Sequence, residues 1–363
     1  MSTTVFSRAV QEKMKGMPAV QKVFTSNAMF DAPVRMGLNE NPYGMAPAAK
    51  EAFVNAAEHC SCYGNFEVTD LRQALADLYG LKLTNFLIGA GSCQLIQTVG
   101  ETFLDPEDEV ILCPTFSNFY DMTKIFQAKL VKVPLKDDMG YDLEGIRSAV
   151  NEHTKMIVIT NPNNPTGQYI PYDTLHAFVQ SLPKDIVVLI DEAYIELATA
   201  EDCKTAIPWI TEMPDRPVVV SRTFSKYYGM AGVRIGYLIA NEEIIRGLGM
   251  IPEGFVSREG QLAAIAALHS RDFYEESKKK IVAGARYLET ELKKLGCTVW
   301  PTQTNFIFFD PHVDPKEVYD RLLAKGILIT LQKYDRVTVS TPANNELFIR
   351  TLAGILEEMK IVS

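Results

Sequence analysis

The stretch Ser221-Arg222-Thr223-Phe224-Ser225-Lys226 sets hydroxyls, a guanidinium and an amine side by side, and Gly232-Val233-Arg234 follows closely. It comes directly after Val218-Val219-Val220, a β-branched run that reads as a buried strand of a parallel sheet. Lys226 is therefore expected where a strand gives way to a loop. Apolar surroundings disfavour the ammonium form and lower a lysine pKa. A neutral amine there can attack a carbonyl and form a Schiff base. Thr223, Ser225 and Arg234 offer donors and positive charge for one phosphate. An amine for an aldehyde beside donors for a phosphate is the requirement set by pyridoxal phosphate. A lysine alone reads as a solvated surface residue, so the weight falls on what accompanies it.

A second group of residues follows other apolar runs. Ile186-Val187-Val188-Leu189-Ile190 delivers Asp191-Glu192-Ala193-Tyr194. A carboxylate at such a dehydrated strand end is costly unless something positive meets it. Capping a helix is one use for Asp191, and pairing with a protonated pyridine nitrogen is the other. Met156-Ile157-Val158-Ile159 ends in Asn161-Pro162-Asn163-Asn164-Pro165-Thr166-Gly167, a turn unusually dense in asparagine and proline. Phe86-Leu87-Ile88 leads through Gly89-Ala90-Gly91 to Ser92-Cys93-Gln94. Glycines between a strand and a helix N-terminus suggest an anion site. A dinucleotide fingerprint would want glycine where Gln94 stands. Phe116 follows the strand Glu109–Cys113, where open α/β sheets place their ligands, and either stacks on a flat ring or packs in the core. Gly37-Leu38-Asn39-Glu40-Asn41-Pro42 is a turn or a loop entering the site.

These residues need a scaffold that brings strand ends together. Strands alternate with helical stretches over 85–240, which predicts a mostly parallel sheet with helices on both faces. Long helices over 257–270 and 272–295, then strands at Asn305–Phe309, Gly326–Ile329 and Val337–Val339, predict a smaller α+β part. An amphipathic start is expected from Val10 through Val23. The 363 residues suit two domains, and 47% hydrophobic residues suit sizeable cores. A net charge of -9 with scattered basic residues argues against a nucleic-acid partner. No apolar run suggests a leader or a membrane span. The six cysteines form no C-x-x-C pair and the histidines are dispersed, so no metal is expected and reduced thiols in the cytoplasm are.

With Asn161–Gly167, Asp191–Tyr194, Thr223–Lys226 and Arg234 in this order, the chain resembles the pyridoxal-phosphate-dependent aminotransferases of fold type I, class I/II. It is most similar to their histidinol-phosphate aminotransferase branch. The resemblance runs from Leu38-Asn39-Glu40-Asn41-Pro42 to Thr341-Pro342. It implies a large cofactor-binding domain over 42–255 and a small domain built from 1–41 and 256–363. Lys226 would hold pyridoxal 5'-phosphate covalently and move protons. Asp191 would pair with the ring nitrogen, Asn164 and Tyr194 with the phenolic oxygen, and Phe116 would stack on the ring. Ser92, Cys93, Gln94, Thr223, Ser225 and Arg234 would hold the phosphate, joined by Tyr63 from the second subunit of a homodimer. Arg336 would grip the substrate's anionic group, with Asn39 and Asn164 beside it. The implied reaction moves an amino group from an amino acid or a histidinol-phosphate-like donor to a 2-oxo acid such as 2-oxoglutarate. The alternative is another reaction on the same cofactor: decarboxylation, racemisation or β-elimination.

The chain departs from that branch in three places. Gly326-Ile327-Leu328-Ile329 ends in Thr330 where the branch often has a second arginine. Cys93-Gln94 replaces an acidic pair, and no tyrosine with a proline-glycine segment precedes Leu38. Glu253 and Arg258, in the segment Ile251–Arg258, are candidates for selecting the substrate side chain.

Overall fold

A computed structural model describes Gln11, residues 32–251 and residues 255–362. Glu253 and, apart from Gln11, the expected amphipathic start lie outside the described residues. In chain order the main elements are β1 (Val34–Arg35), α1 (Pro47–Ala56), α2 (Thr69–Tyr79), β2 (Phe86–Gly89), α3 (Ser92–Phe103), β3 (Glu109–Leu112), α4 (Ser117–Ile125), β4 (Lys129–Lys132), α5 (Leu143–Ala149), β5 (Thr154–Thr160), α6 (Tyr172–Ser181), β6 (Val187–Asp191), β7 (Val218–Thr223) and β8 (Gly236–Ile239). There follow α7 (Glu242–Leu248), α8 (Arg258–Leu268), α9 (Arg271–Lys294), β9 (Thr298–Val299), β10 (Phe306–Asp310), α10 (Pro315–Ala324), β11 (Ile327–Leu328), β12 (Thr330–Leu331), β13 (Asp335–Thr338) and α11 (Pro342–Val362).

The large sheet has seven strands in the order β2-β8-β7-β6-β5-β3-β4. Neighbours from β7 to β4 are parallel, and β8 runs antiparallel to both β7 and β2. The central strands are apolar on both faces because both faces are covered. Their side chains alternate between two cores. Leu112, Val158, Leu189 and Val219 pack with Leu95 and Val99 of α3 and Met122 of α4. Ile111, Ile157, Ile190 and Val220 face the other way, with Phe178 of α6 and Ala264 of α8. Each such side chain, fully buried, contributes about 1.5–3 kcal/mol relative to exposure.

A second, antiparallel sheet has the order β12-β13-β10-β9, and β1 pairs in parallel with β11. The N-terminal segment is thereby tied to the C-terminal part of the chain. Helix α9 packs against β9 and β10 of this sheet, and its buried residues Tyr274, Ser277, Ile281, Ala285, Leu288 and Leu292, spaced by three and four, lie along one face. Thr69 opens α2 but does not cap it; Val68 occupies the cap position with φ 50° and no side-chain hydrogen bond. Arg234 lies just before the last strand, in chain order, of the large sheet: β8 begins at Gly236, and Arg234 sits in the loop with φ 62°.

Candidate active site

The sheet topology gathers the predicted residues at one edge. Strands β3, β5, β6 and β7 are neighbours and parallel, so their C-terminal ends coincide. From them emerge Phe116, the turn Asn161–Gly167, Asp191 and the Thr223–Lys226 loop. Because β8 is reversed, its N-terminal end lies at the same edge, and Gly236 pairs with both Thr223 and Gly89. That register brings Arg234 to the start of α3. A Cβ on Gly91 would lie 2.3 Å from Arg234 Nη2, and one on Gly236 would lie 2.5 Å from the Ser92 amide. Only glycine allows these approaches. Gly91, with φ 84°, is the N-cap of α3 and offers no side-chain cap. The first amides of α3, from Ser92, Cys93 and Gln94, therefore point outward.

Beside them, Thr223 Oγ1 donates to Ser225 Oγ at 2.9 Å, and Arg234 Nη1 donates to Ser225 Oγ at 3.5 Å and to the Ala231 carbonyl at 2.8 Å. Gln94 directs its side chain inward: Oε1 accepts from the Ala90 amide at 3.1 Å and Nε2 donates to Thr98 at 2.9 Å. Its side chain holds the glycine loop, which leaves only its amide to face an anion. Phe116 is half-buried, edge-on to Phe119 at 6.3 Å.

Lys226 Nζ donates to the Leu38 carbonyl at 3.0 Å and lies 5.8 Å from the centre of the Tyr194 ring. Burial lowers its pKa to about 8, and the charge of Arg336 acts in the same direction. Asp191 ends β6, and burial pushes its carboxyl up to about 7. Its Oδ1 is buried without a hydrogen-bond partner and remains available to a ligand. Tyr194, pushed up to about 12 by burial, accepts from Asn39 Nδ2 at 2.9 Å. The Asn39 Oδ1 accepts from Thr338 Oγ1 at 3.1 Å, so its side chain is already engaged by protein at both ends.

The asparagine-rich turn divides its work. Asn161 exchanges two hydrogen bonds with Ile170, and Asn163 binds the Pro114 carbonyl and Thr166. Asn164 faces Arg336, whose Nη1 donates to its Oδ1. Arg336 Nη2 donates to the Gly37 carbonyl and to Thr330 Oγ1, each at 3.0 Å. The guanidinium is 7% exposed, its Nε has no partner, and burial lowers its pKa. Among the described residues no carboxylate lies within ion-pair distance of it.

Tyr63 stands apart from this group within one chain. It is 82% exposed and clusters with Phe66 and Phe255 at ring distances of 5.5 and 6.0 Å. Arg258 opens α8, its Cβ 3.1 Å from where a Cβ on Gly64 would lie.

A profile of the aminotransferase class I and II family matches residues 32–352. The chain belongs to this family. Curated relatives of this aminotransferase include the histidinol-phosphate aminotransferase of Moorella thermoacetica, 35% identical over 331 residues that span 89% of this chain and 85% of that one. The enzyme of the same name from a Geobacillus species is 32% identical over 367 residues, 97% of this chain and 100% of the other. The crystal structure of histidinol-phosphate aminotransferase from Sinorhizobium meliloti in complex with pyridoxal-5'-phosphate matches with a TM-score of 0.89 at 28% identity, covering 99% of each chain. The aminotransferase fold expected from the motifs is the one observed.

The residues present fit pyridoxal phosphate. The glycine cradle with α3 amides, Ser225 and Arg234 suits a phosphate, the unpartnered Asp191 Oδ1 suits a cationic ring nitrogen, and the Lys226 amine suits an aldehyde.

Sequence reasoning missed the ion cluster behind Asp191. Glu192 Oε2 accepts from Arg222 Nε at 2.9 Å and from Thr205 at 2.7 Å, and Glu196 accepts from Arg222 Nη1 at 2.6 Å. All the same, its members flank the two motifs: Glu192 follows Asp191, and Arg222 precedes Thr223. Their charge inside apolar strands was the available signal.

Proposed function

We propose that this aminotransferase uses pyridoxal 5'-phosphate to move an amino group from an anionic amino donor to a 2-oxo acid such as 2-oxoglutarate. Donors of two kinds come into view: amino acids, and the phosphate monoester in the name its curated relatives carry. The observation that carries the reading is the meeting of a depressed amine, Lys226, with a buried carboxyl, Asp191, one of whose oxygens has no partner, on adjoining strand ends. When bound, pyridoxal phosphate supplies an aldehyde for amines and an electron-accepting ring.

The protein's residues divide the remaining work. The α3 amides, Thr223, Ser225 and Arg234 bind phosphate. Asp191 holds a proton on the ring nitrogen, which favours electron acceptance. Tyr194 and Asn164 would hydrogen-bond the phenolic oxygen, and Phe116 would stack on the ring. Lys226, its pKa lowered to about 8 by burial, would remove a proton from the donor's α-carbon and return it elsewhere. Arg336 and Asn164 hold the donor's anion, and Asn39 positions Tyr194. The exposed Tyr63-Phe66-Phe255 cluster suits a homodimer in which Tyr63 completes the partner's phosphate site. We also propose the division into 42–255 against 1–41 and 256–363, and a cytoplasmic location; among the described residues no helix is long and apolar enough to cross a membrane.

The test is an amino-donor screen with 2-oxoglutarate, measuring glutamate, keto product and pyridoxamine phosphate. Carbon dioxide, a racemised donor or an eliminated side chain in place of these products would replace transamination with another reaction.

A further inference from the structure

We propose that Thr330 restricts the donor anion to a single negative charge, so that the enzyme takes carboxylate donors and rejects phosphate monoesters. The proposal rests on the aminotransferase reading above and names its substrate class.

The argument is a count of charges and donors around Arg336. Each of its recorded partners is neutral: the Asn164 amide oxygen, the Gly37 carbonyl and the Thr330 hydroxyl. Among the described residues the site therefore offers one uncompensated positive charge. Thr330 adds neither charge nor donor. Its hydroxyl accepts from Arg336 and spends its one proton on the Gly37 carbonyl. The other cations nearby, among the described residues, are engaged elsewhere. Arg35 pairs with Glu40 at 2.7 Å, Arg234 faces the start of α3, and Lys226 donates to Leu38.

A carboxylate brings one charge, which a single guanidinium balances once its oxygens displace neutral acceptors such as the Asn164 amide oxygen. A phosphate monoester brings about −1.5 to −2 and three acceptor oxygens. Its second charge would remain unpaired in a largely dehydrated site. The wall beside Thr330 does not widen readily either: a Cβ on Gly37 would already lie 2.9 Å from the Ile329 carbonyl. Thr330 acts through Arg336 and by the charge it withholds; it is a specificity residue rather than a catalytic one.

The experiment compares donors on the cofactor-loaded enzyme with 2-oxoglutarate. Phenylalanine, tyrosine and histidine represent carboxylates, and histidinol phosphate represents phosphate monoesters. The expected kcat/KM for the best carboxylate donor exceeds that for histidinol phosphate by about a hundredfold, the scale of one or two charge-assisted hydrogen bonds. Thr330→Arg should raise kcat/KM for histidinol phosphate by about ten- to a hundredfold, through KM, without raising that for the carboxylates. Histidinol phosphate used as well as the best amino acid by the unaltered enzyme overturns the proposal, as does a folded Thr330→Arg enzyme with an unchanged donor ratio. The ranking on the unaltered enzyme decides the matter even where the variant does not fold. Turnover of neither class removes the aminotransferase reading and this proposal together, a result distinct from either ranking.

Discussion

Asp335 should make the antiparallel sheet unfold more easily as pH rises. It lies on β13 beside Arg336, is 0% exposed, and neither carboxyl oxygen has a hydrogen-bond partner. Burial, reinforced by the charges of Asp310 and Asp314, pushes its pKa from 3.8 to about 8. The native state thus holds a proton that the unfolded chain releases above pH 3.8. Stability from this group is complete below that value and is lost as pH rises through 8. At about 1.4 kcal/mol per tenfold change in proton affinity, the loss between pH 6 and pH 9 is about 2–3 kcal/mol. Asp335→Asn keeps the shape and cannot ionise, so the loss should vanish. Trp300, whose ring centre is 5.1 Å from those of Phe308 and Tyr334, reports on this sheet. Its fluorescence in urea, in a Trp209→Phe background, gives midpoints at both pH values with and without Asp335→Asn. Cofactor-free Asp191 contributes a slope of the same sign, and it cancels in the comparison. Parallel pH profiles for the two proteins would refute the reasoning.

Three further outcomes are expected. Lys226→Ala should abolish turnover and the visible absorption of the cofactor-loaded enzyme; transamination retained in that variant would remove Lys226 from the chemistry. Arg336→Ala should weaken anionic donors by about 1.5–3 kcal/mol, seen as a KM raised about ten- to a hundredfold, and an unaltered KM and kcat would take Arg336 out of the site. Arg222→Met leaves Glu192 and Glu196 without their partner, and urea midpoints at pH 7 should show a loss of about 3–5 kcal/mol. A loss under about 1 kcal/mol would mean the cluster is solvated, contrary to its burial.

Much of the site was legible because its signals are local. Lys226, Asp191 and Asn161–Gly167 each follow an uninterrupted apolar run, and such a run reports a covered strand whose end lies near a sheet edge. Other elements gave weaker local signals. Strand β4, Lys129–Lys132, alternates only partly and sits at the edge of the sheet. The reversal of β8 had no signature in its own residues, since Gly236-Tyr237-Leu238-Ile239 reads as strand in either direction.

Local pattern determined which residues would be buried, which would cap strands and which chemistry they could perform together. Pairing across long separations decided the rest. Gly37 meets Arg336 and Thr330, Asn39 meets Tyr194, and Leu38 meets Lys226, all through a segment that runs between the two sheets. Hydrophobic periodicity specifies a face, not the neighbour that will cover it. The neighbour is chosen by the packing of whole elements, and so the partners of Arg336, the buried ion cluster and the unpartnered Asp335 became visible only in three dimensions.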